Sequence, residues 1–86
     1  MINRKEHPIG WSLLLDDLSD AHEHLGTLLK EIAEDPEYGE PELRVELGHV
    51  FAHLNRAWCR RNIPEDFADS DWECASAFPS DLEPLA

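Results

Sequence analysis

Apolar residues recur at helical spacing along the first long stretch of the chain. From Trp11 to Ile32 they repeat every three or four residues over about three heptads. This pattern predicts an amphipathic helix over residues 9–34, with a seam like that of a coiled coil. The predicted seam residues are Trp11, Leu14, Leu15, Leu18, Ala21, Leu25, Leu28, Leu29 and Ile32.

A second stretch with the same period predicts a helix over residues 41–61. Pro36 disfavours helical geometry at Asp35, Gly39 lies in the connection, and Pro41 suits a first helical turn. Because the connection is short, the two helices should lie antiparallel. The seam of the second helix is predicted to be Leu43, Leu47, Val50, Phe51, Leu54, Ala57 and Trp58.

The remaining segments differ from this hairpin in composition. Residues 1–7 are polar and are predicted to be a mobile leader. Residues 62–86 are acidic and rich in Pro, and "SDWE" (70–73) fits a capping box before a short helix over residues 70–77. Aromatic residues in this tail indicate that part of it folds back over the hairpin. The prediction is a single all-α domain over residues 1–86, with the hairpin at 8–61.

Charge restricts the classes of partner. The net charge is −12, and residues 62–86 carry seven acids and no base. A negative field repels phosphate, which argues against nucleic-acid binding and leaves basic proteins as possible partners. No apolar run reaches the length of a membrane span, the N-terminus lacks a signal-type apolar region, and two cysteines make no disulfide framework. We therefore expect a cytoplasmic protein without a membrane partner.

Charged side chains also lie along one flank of each helix. If the seam positions are labelled a and d, then Asp17, His24 and Glu31 occupy position g of the first helix. Glu46, His53 and Arg60 occupy position g of the second helix. Antiparallel packing places these flanks opposite each other, with the acidic residues near Asp17 facing the arginines. Such pairs fix orientation, and each exposed pair adds about 0.2–1 kcal/mol.

The same flank contains the candidate metal ligands. Glu46-x-x-His49 has the spacing of carboxylate-bundle ligands, and His49 and His53 form an i, i+4 pair that can hold zinc. His24 could add a ligand from the first helix. However, the inward seam positions are apolar, so hydrogen-bonded flank histidines and no cofactor are the preferred interpretation. The alternative is a bundle that binds zinc, iron or manganese through Glu46, His49, His53 and His24.

No arrangement of residues indicates catalysis. There is no phosphate-binding glycine loop and no nucleophile elbow. Cys59 is followed by two arginines, but His53 is six residues upstream and lies on another face. His22 lies at position e beside Leu15 and Leu29, where its protonation could make assembly depend on pH.

Two helices cannot close a core by themselves, so we expect a homodimer that completes a four-helix bundle. The predicted function is a non-enzymatic interaction or regulatory module acting through an apolar helical face and the acidic tail. The alternatives are the metal-binding bundle and an acidic inhibitor that mimics nucleic acid and binds a basic protein. The candidate interface residues are Trp11, Leu13, Leu14, Leu18, Phe51, Trp58 and Trp72.

Overall fold

The computed structural model describes residues 1–85. Within this range the regular secondary structure is helical, and there is no strand. Helix α1 spans Pro8–Glu34, α2 spans Glu40–Arg60, and a short α3 spans Asp71–Ala75. The first two pack as an antiparallel hairpin and α3 packs on α2. The predicted fold class is confirmed, and both long helices begin and end within one residue of the predicted positions.

Local hydrogen bonds explain where the hairpin turns. Asp35 is extended ahead of Pro36, and its N–H donates to the carbonyl of Glu31. The Asp35 carboxylate then accepts the N–H of Glu37 at 2.8 Å. At the start of α2, Glu42 Oε2 accepts the N–H of Gly39 at 3.0 Å, which satisfies a backbone donor just ahead of the helix.

The buried row of α1 differs from the predicted seam. Of the nine predicted seam residues only Leu14, Ala21 and Leu28 are buried, and the row is completed by Gly10 and Asp17. Gly10 and Asp17 precede the predicted seam residues Trp11 and Leu18 by one residue, whereas Leu14, Ala21 and Leu28 are buried as predicted, so the buried face is turned by less than the 100° that separates neighbouring residues. We call the outward row the leucine face; it consists of Leu15, Leu18, Leu25, Leu29 and Ile32, which are 42–64% exposed.

The N-terminal segment is docked on the hairpin, which corrects the prediction of a mobile leader. Ile2 is buried, and its N–H donates to the carbonyl of Arg61 at 2.8 Å. Its side chain forms a small core with Leu14 and Ala57, against which Trp11 packs. A single apolar residue thus ties the start of the chain to the end of α2.

At Gly10 the backbone of α1 lies in close contact with the segment that follows α2. Its N–H donates to the carbonyl of Pro64 at 2.9 Å. A Cβ atom at residue 10 would lie 2.3 Å from the carbonyl oxygen of Ile63. The glycine is therefore required for space and not for an unusual backbone angle.

Part of the acidic tail folds back over α2, as predicted from its aromatic residues. Phe78 makes an edge-to-face contact with Phe51, and Asp81 accepts a hydrogen bond from the Trp58 indole at 2.9 Å. The short helix α3 covers fewer residues than the predicted range 70–77. The capping box is absent: Ser70 makes no side-chain cap, and Asp71 accepts the N–H of Ala68 instead.

Within residues 1–85, no helix is both long enough and apolar enough to cross a membrane.

Candidate functional site: a polar seam between the helices

A buried carboxylate organises the polar contacts between α1 and α2. Asp17 is 6% exposed. Its Oδ2 accepts a hydrogen bond from Arg60 Nε at 2.7 Å, and its Oδ1 accepts one from Arg56 Nε at 3.2 Å. His53 Nδ1 lies 3.0 Å from the same Oδ1. We call these four residues the Asp17 cluster.

Helical spacing brings the three partners of Asp17 together. His53, Arg56 and Arg60 are separated by three and four residues, so they share one face of α2. This face meets the buried row of α1, in which Asp17 is the acidic member. The predicted pairing of acids on the first helix with arginines on the second is confirmed here, but it is a buried contact and not an exposed flank.

The cluster keeps Asp17 ionised despite its burial. Burial by itself raises the pKa of the carboxyl, but hydrogen bonds from His53, Arg60 and Arg56 outweigh that effect. The pKa of Asp17 is therefore held below its ordinary value of 3.8. A carboxylate with this many donors is a structural anion and a poor general base.

The Nδ1 atom of His53 lies between the Asp17 carboxylate and the Arg56 guanidinium. Arg56 Nη2 lies 2.8 Å from His53 Nδ1, so this nitrogen has an acceptor on one side and a donor on the other. A lone pair on Nδ1 would face the carboxylate oxygen at 3.0 Å and be repelled. A proton on Nδ1 would in turn face the Arg56 N–H at 2.8 Å, so the two neighbours of this nitrogen favour opposite tautomers.

The two arginines at the end of α2 are held by the tail as well. Arg60 is 7% exposed; its Nη1 donates to Asp66 at 3.3 Å, and its guanidinium lies 3.8 Å from the ring centre of Phe67. Arg61 donates to Asp81 at 2.9 Å and stacks over its neighbour Trp58. These contacts fasten the tail to the open end of the hairpin.

The side chains of three histidines lie together between α1 and α2, one helical turn nearer the turn of the hairpin than the Asp17 cluster. The ring centre of His24 lies 5.3 Å from that of His49 and 5.3 Å from that of His53. The His24 and His53 rings are stacked, with an interplanar angle of 22°. The predicted opposition of His24 and His53 is confirmed. We call these residues the histidine cluster.

Glu46, the fourth residue of the predicted metal site, lies outside the histidine cluster. Glu46 neighbours Glu31 and Tyr38 toward the turn end of the hairpin. The Glu46 carboxylate raises the pKa of Glu31, because one proton can be shared between the two groups. Burial first and Glu46 second raise the pKa of Tyr38 to about 12. Tyr38 Oη and Glu46 Oε2 have no hydrogen-bond partner among the described residues.

Another group has ligand atoms that converge. Asp17, Asp20 and His53 each present an atom within 4.8 Å of the others, and no other group of three among residues 1–85 does so. However, Asp17 already accepts from two guanidinium groups. A cation at this point would have to displace them, so we assign the convergence to the Asp17 cluster. The sequence pattern did not indicate that Asp17 would lie buried at the centre of the Asp17 cluster.

The predicted interface residues are scattered over several environments. Leu14 is buried within the chain, Trp11, Leu13 and Trp58 are half-buried, and Leu18, Phe51 and Trp72 are more than 40% exposed. An apolar groove of about 390 Å³ lies beside the leucine face. Its walls are Met1, Leu14, Leu18, Leu54, Ala57, Trp58, Arg61 and Leu82.

Cys59 is packed beneath the tail. Its thiol lies 3.8 Å from the carbonyl oxygen of Asp71. Burial raises the pKa of Cys59 to about 12, and the neighbouring Cys74 adds to this effect. A protonated, buried thiol is a poor nucleophile at neutral pH, so this residue is structural.

The Asp17 cluster therefore holds α1 and α2 in their relative orientation, and the histidine cluster lies beside it. Comparisons with protein-family models, curated proteins and solved structures return no match to this chain.

Proposed function

We propose that this protein is a non-enzymatic interaction module that assembles with a second copy of itself through the leucine face. The observation that carries this proposal is the exposure of the five residues of that face on a single helix. Soluble monomers rarely expose contiguous apolar patches of this kind, and such patches commonly mark protein interaction sites. The proposal includes a cytoplasmic location.

The spacing of the leucine face favours a second copy as the occupant. The row is nearly symmetric about His22: Leu15 and Leu29 lie seven residues on either side, and Leu18 and Leu25 lie four and three residues away. Two α1 helices packed antiparallel around a two-fold axis near His22 would therefore match leucine with leucine. A self-complementary patch of this kind is what an isologous dimer requires.

The exposed area is sufficient for a moderate dimer. Complete burial of one such side chain contributes about 1.5–3 kcal/mol, and the leucine face together with Leu54 is about half exposed. Covering these six side chains in both copies would contribute roughly 9–17 kcal/mol. Association opposes this with about 4–15 kcal/mol. The two copies are both strongly acidic, so salt should strengthen the dimer.

The contacts of the acidic tail give less support to the alternative that the protein binds a basic partner. Asp66 and Asp81 are used in ion pairs with Arg60 and Arg61, and Asp71 accepts a backbone N–H within the tail. These contacts favour a tail that braces the hairpin. An acidic inhibitor of a basic protein thus remains an alternative, which would require partner binding that weakens as salt rises.

Sedimentation velocity at tens of micromolar protein tests the proposal. We expect a dimer for the native chain and a monomer for Leu25→Glu, because a charge would be buried at the centre of the face. Ile9→Glu is the matched control, since Ile9 is an exposed aliphatic residue of α1 outside the face. A native chain that sediments as a monodisperse monomer rejects the dimer. A dimer that persists in Leu25→Glu rejects the leucine face.

A further inference from the structure

We propose that the histidine cluster is a binding site for a divalent metal ion of zinc type, with His24, His49 and His53 as its ligands. This site lies on the polar side of the hairpin, away from the leucine face. It is therefore independent of the proposed assembly, and either proposal can fail alone.

The first observation is the gathering of three imidazoles from two helices. His49 and His53 are one turn apart on α2, and the ring of His24 on α1 contacts both at 5.3 Å between ring centres. Three imidazoles and an open fourth position form a common zinc site. Neither His24 nor His49 has a side-chain hydrogen bond with any other described residue.

The second observation is the hydrogen bond that orients His53. Its Nδ1 lies 3.0 Å from the buried carboxylate of Asp17. Histidines that bind metals usually donate their other ring N–H to a carboxylate in this way, which fixes the tautomer and makes the ligating nitrogen more basic. A metal ion bound at Nε2 would place the ring proton on Nδ1, where it donates to Asp17, a carboxylate that does not itself bind the ion.

Binding requires two of the rings to turn. A tetrahedral zinc ion holds its nitrogen ligands about 2.0–2.1 Å from the metal, and hence roughly 3.4 Å from one another. The three ring nitrogens do not converge to within 4.8 Å in this structure. His49 is exposed and His24 is half-buried, so both can rotate toward His53, which stays fixed by Asp17.

Local charge is compatible with a cation. Asp17 and Asp20 both lie near the cluster, the latter 3.9 Å from His53 Nδ1. Arg56 is the nearest positive group, but it contacts the Nδ1 edge of the ring and is paired with Asp17. Imidazole ligands favour zinc, copper or nickel over magnesium or calcium. An iron or manganese carboxylate site is disfavoured because Glu31 and Glu46 lie further along the hairpin.

Zinc titration of the protein without a histidine tag tests this site. With zinc chloride in a non-chelating buffer, calorimetry should show one ion per chain. We expect His49→Ala and His24→Ala each to weaken zinc binding roughly tenfold or more, because each removes a direct ligand. His22→Ala is the matched control: His22 is an exposed histidine of α1 outside the cluster, and its removal should leave the affinity unchanged.

A nitrogen-resolved measurement separates this site from binding to surface carboxylates. In spectra of ¹⁵N-labelled protein, zinc should shift the Nε2 resonance of His53, and the zinc-bound form should carry its ring proton on Nδ1. Circular dichroism of each variant checks that the helices remain intact. Absence of stoichiometric binding to the native chain overturns the proposal. Equal affinity in His49→Ala, or binding that leaves the histidine resonances unmoved, overturns it as well.

Discussion

Replacement of Asp17 by Asn is the sharpest test of how the two long helices are held together. The change keeps the size of the side chain and removes its charge. It leaves Arg60, whose side chain is 8% exposed, with a neutral acceptor in place of a carboxylate at 2.7 Å. Arg56 and His53 lose the same anion. A buried charge that loses its counter-ion is strongly destabilising.

The expected size of the effect follows from these contacts. Removal of one partner from a buried ion pair costs about 3–5 kcal/mol. Asn still accepts hydrogen bonds, and Arg60 keeps Asp66 and the Phe67 ring, so we expect a loss of about 2–4 kcal/mol. A chain of this length should have a total stability of roughly 4–13 kcal/mol. The substitution should therefore remove a large part of it.

Urea denaturation followed by far-ultraviolet circular dichroism measures this loss at neutral pH. Protein concentration must be the same for all variants, because any dimer makes stability depend on it. Asp16→Asn is the control: Asp16 is adjacent but exposed, so its change should stay within about 0.5 kcal/mol. Equal stabilities for the two variants would refute the structural role of Asp17. In a double-mutant cycle with Arg60→Met, coupling below about 0.5 kcal/mol would refute the pairing.

Three further predictions concern backbone packing, acid unfolding and thiol reactivity. Gly10→Ala should lower the urea midpoint strongly because its Cβ would meet a backbone carbonyl, whereas Gly26→Ala, in open space, should raise stability by up to about 1 kcal/mol. Because the folded-state pKa of Asp17 lies below 3.8, its contribution is present above that pH and is lost as the pH falls further, so acid unfolding should be less steep in Asp17→Asn. Iodoacetamide at mildly alkaline pH should modify the exposed Cys74 well before the buried Cys59, as read by mass spectrometry of the intact protein and its peptides.

Helix boundaries were predictable because they depend on local chemistry. Proline at 36 and 41 and the short link between them act on their own neighbours, whatever the rest of the chain does. The rotation of α1 about its axis was not predictable in this way. Hydrophobic periodicity favours leucine over aspartate for burial, and it therefore predicts Leu18 inside and Asp17 on the flank. The structure reverses this order because two arginines and a histidine from α2 converge on Asp17.

The candidate site was partly predictable because helical spacing determines which residues share one flank of a helix. Heptad positions correctly placed His24 opposite His53, since both lie on the g flank of an antiparallel pair. The same register of the two g flanks pairs Glu31 with Glu46, and the structure places these two carboxylates side by side. The docking of Ile2 had no local signal, because a single apolar residue in a polar segment gains its partners only after the hairpin forms.

The two ends of the hairpin differ in how firmly they are closed. At the open end, hydrogen bonds join Ile2 to Arg61, Gly10 to Pro64 and Arg61 to Asp81, across long distances in the sequence. At the turn, the Glu31 and Glu46 carboxylates are neighbours, and two buried polar atoms, Tyr38 Oη and Glu46 Oε2, have no hydrogen-bond partner among the described residues. Local unfolding should therefore begin at the turn. Amide hydrogen exchange would be fastest around residues 31–46 and slowest at the open end, where Ile2 and Gly10 donate hydrogen bonds to Arg61 and Pro64.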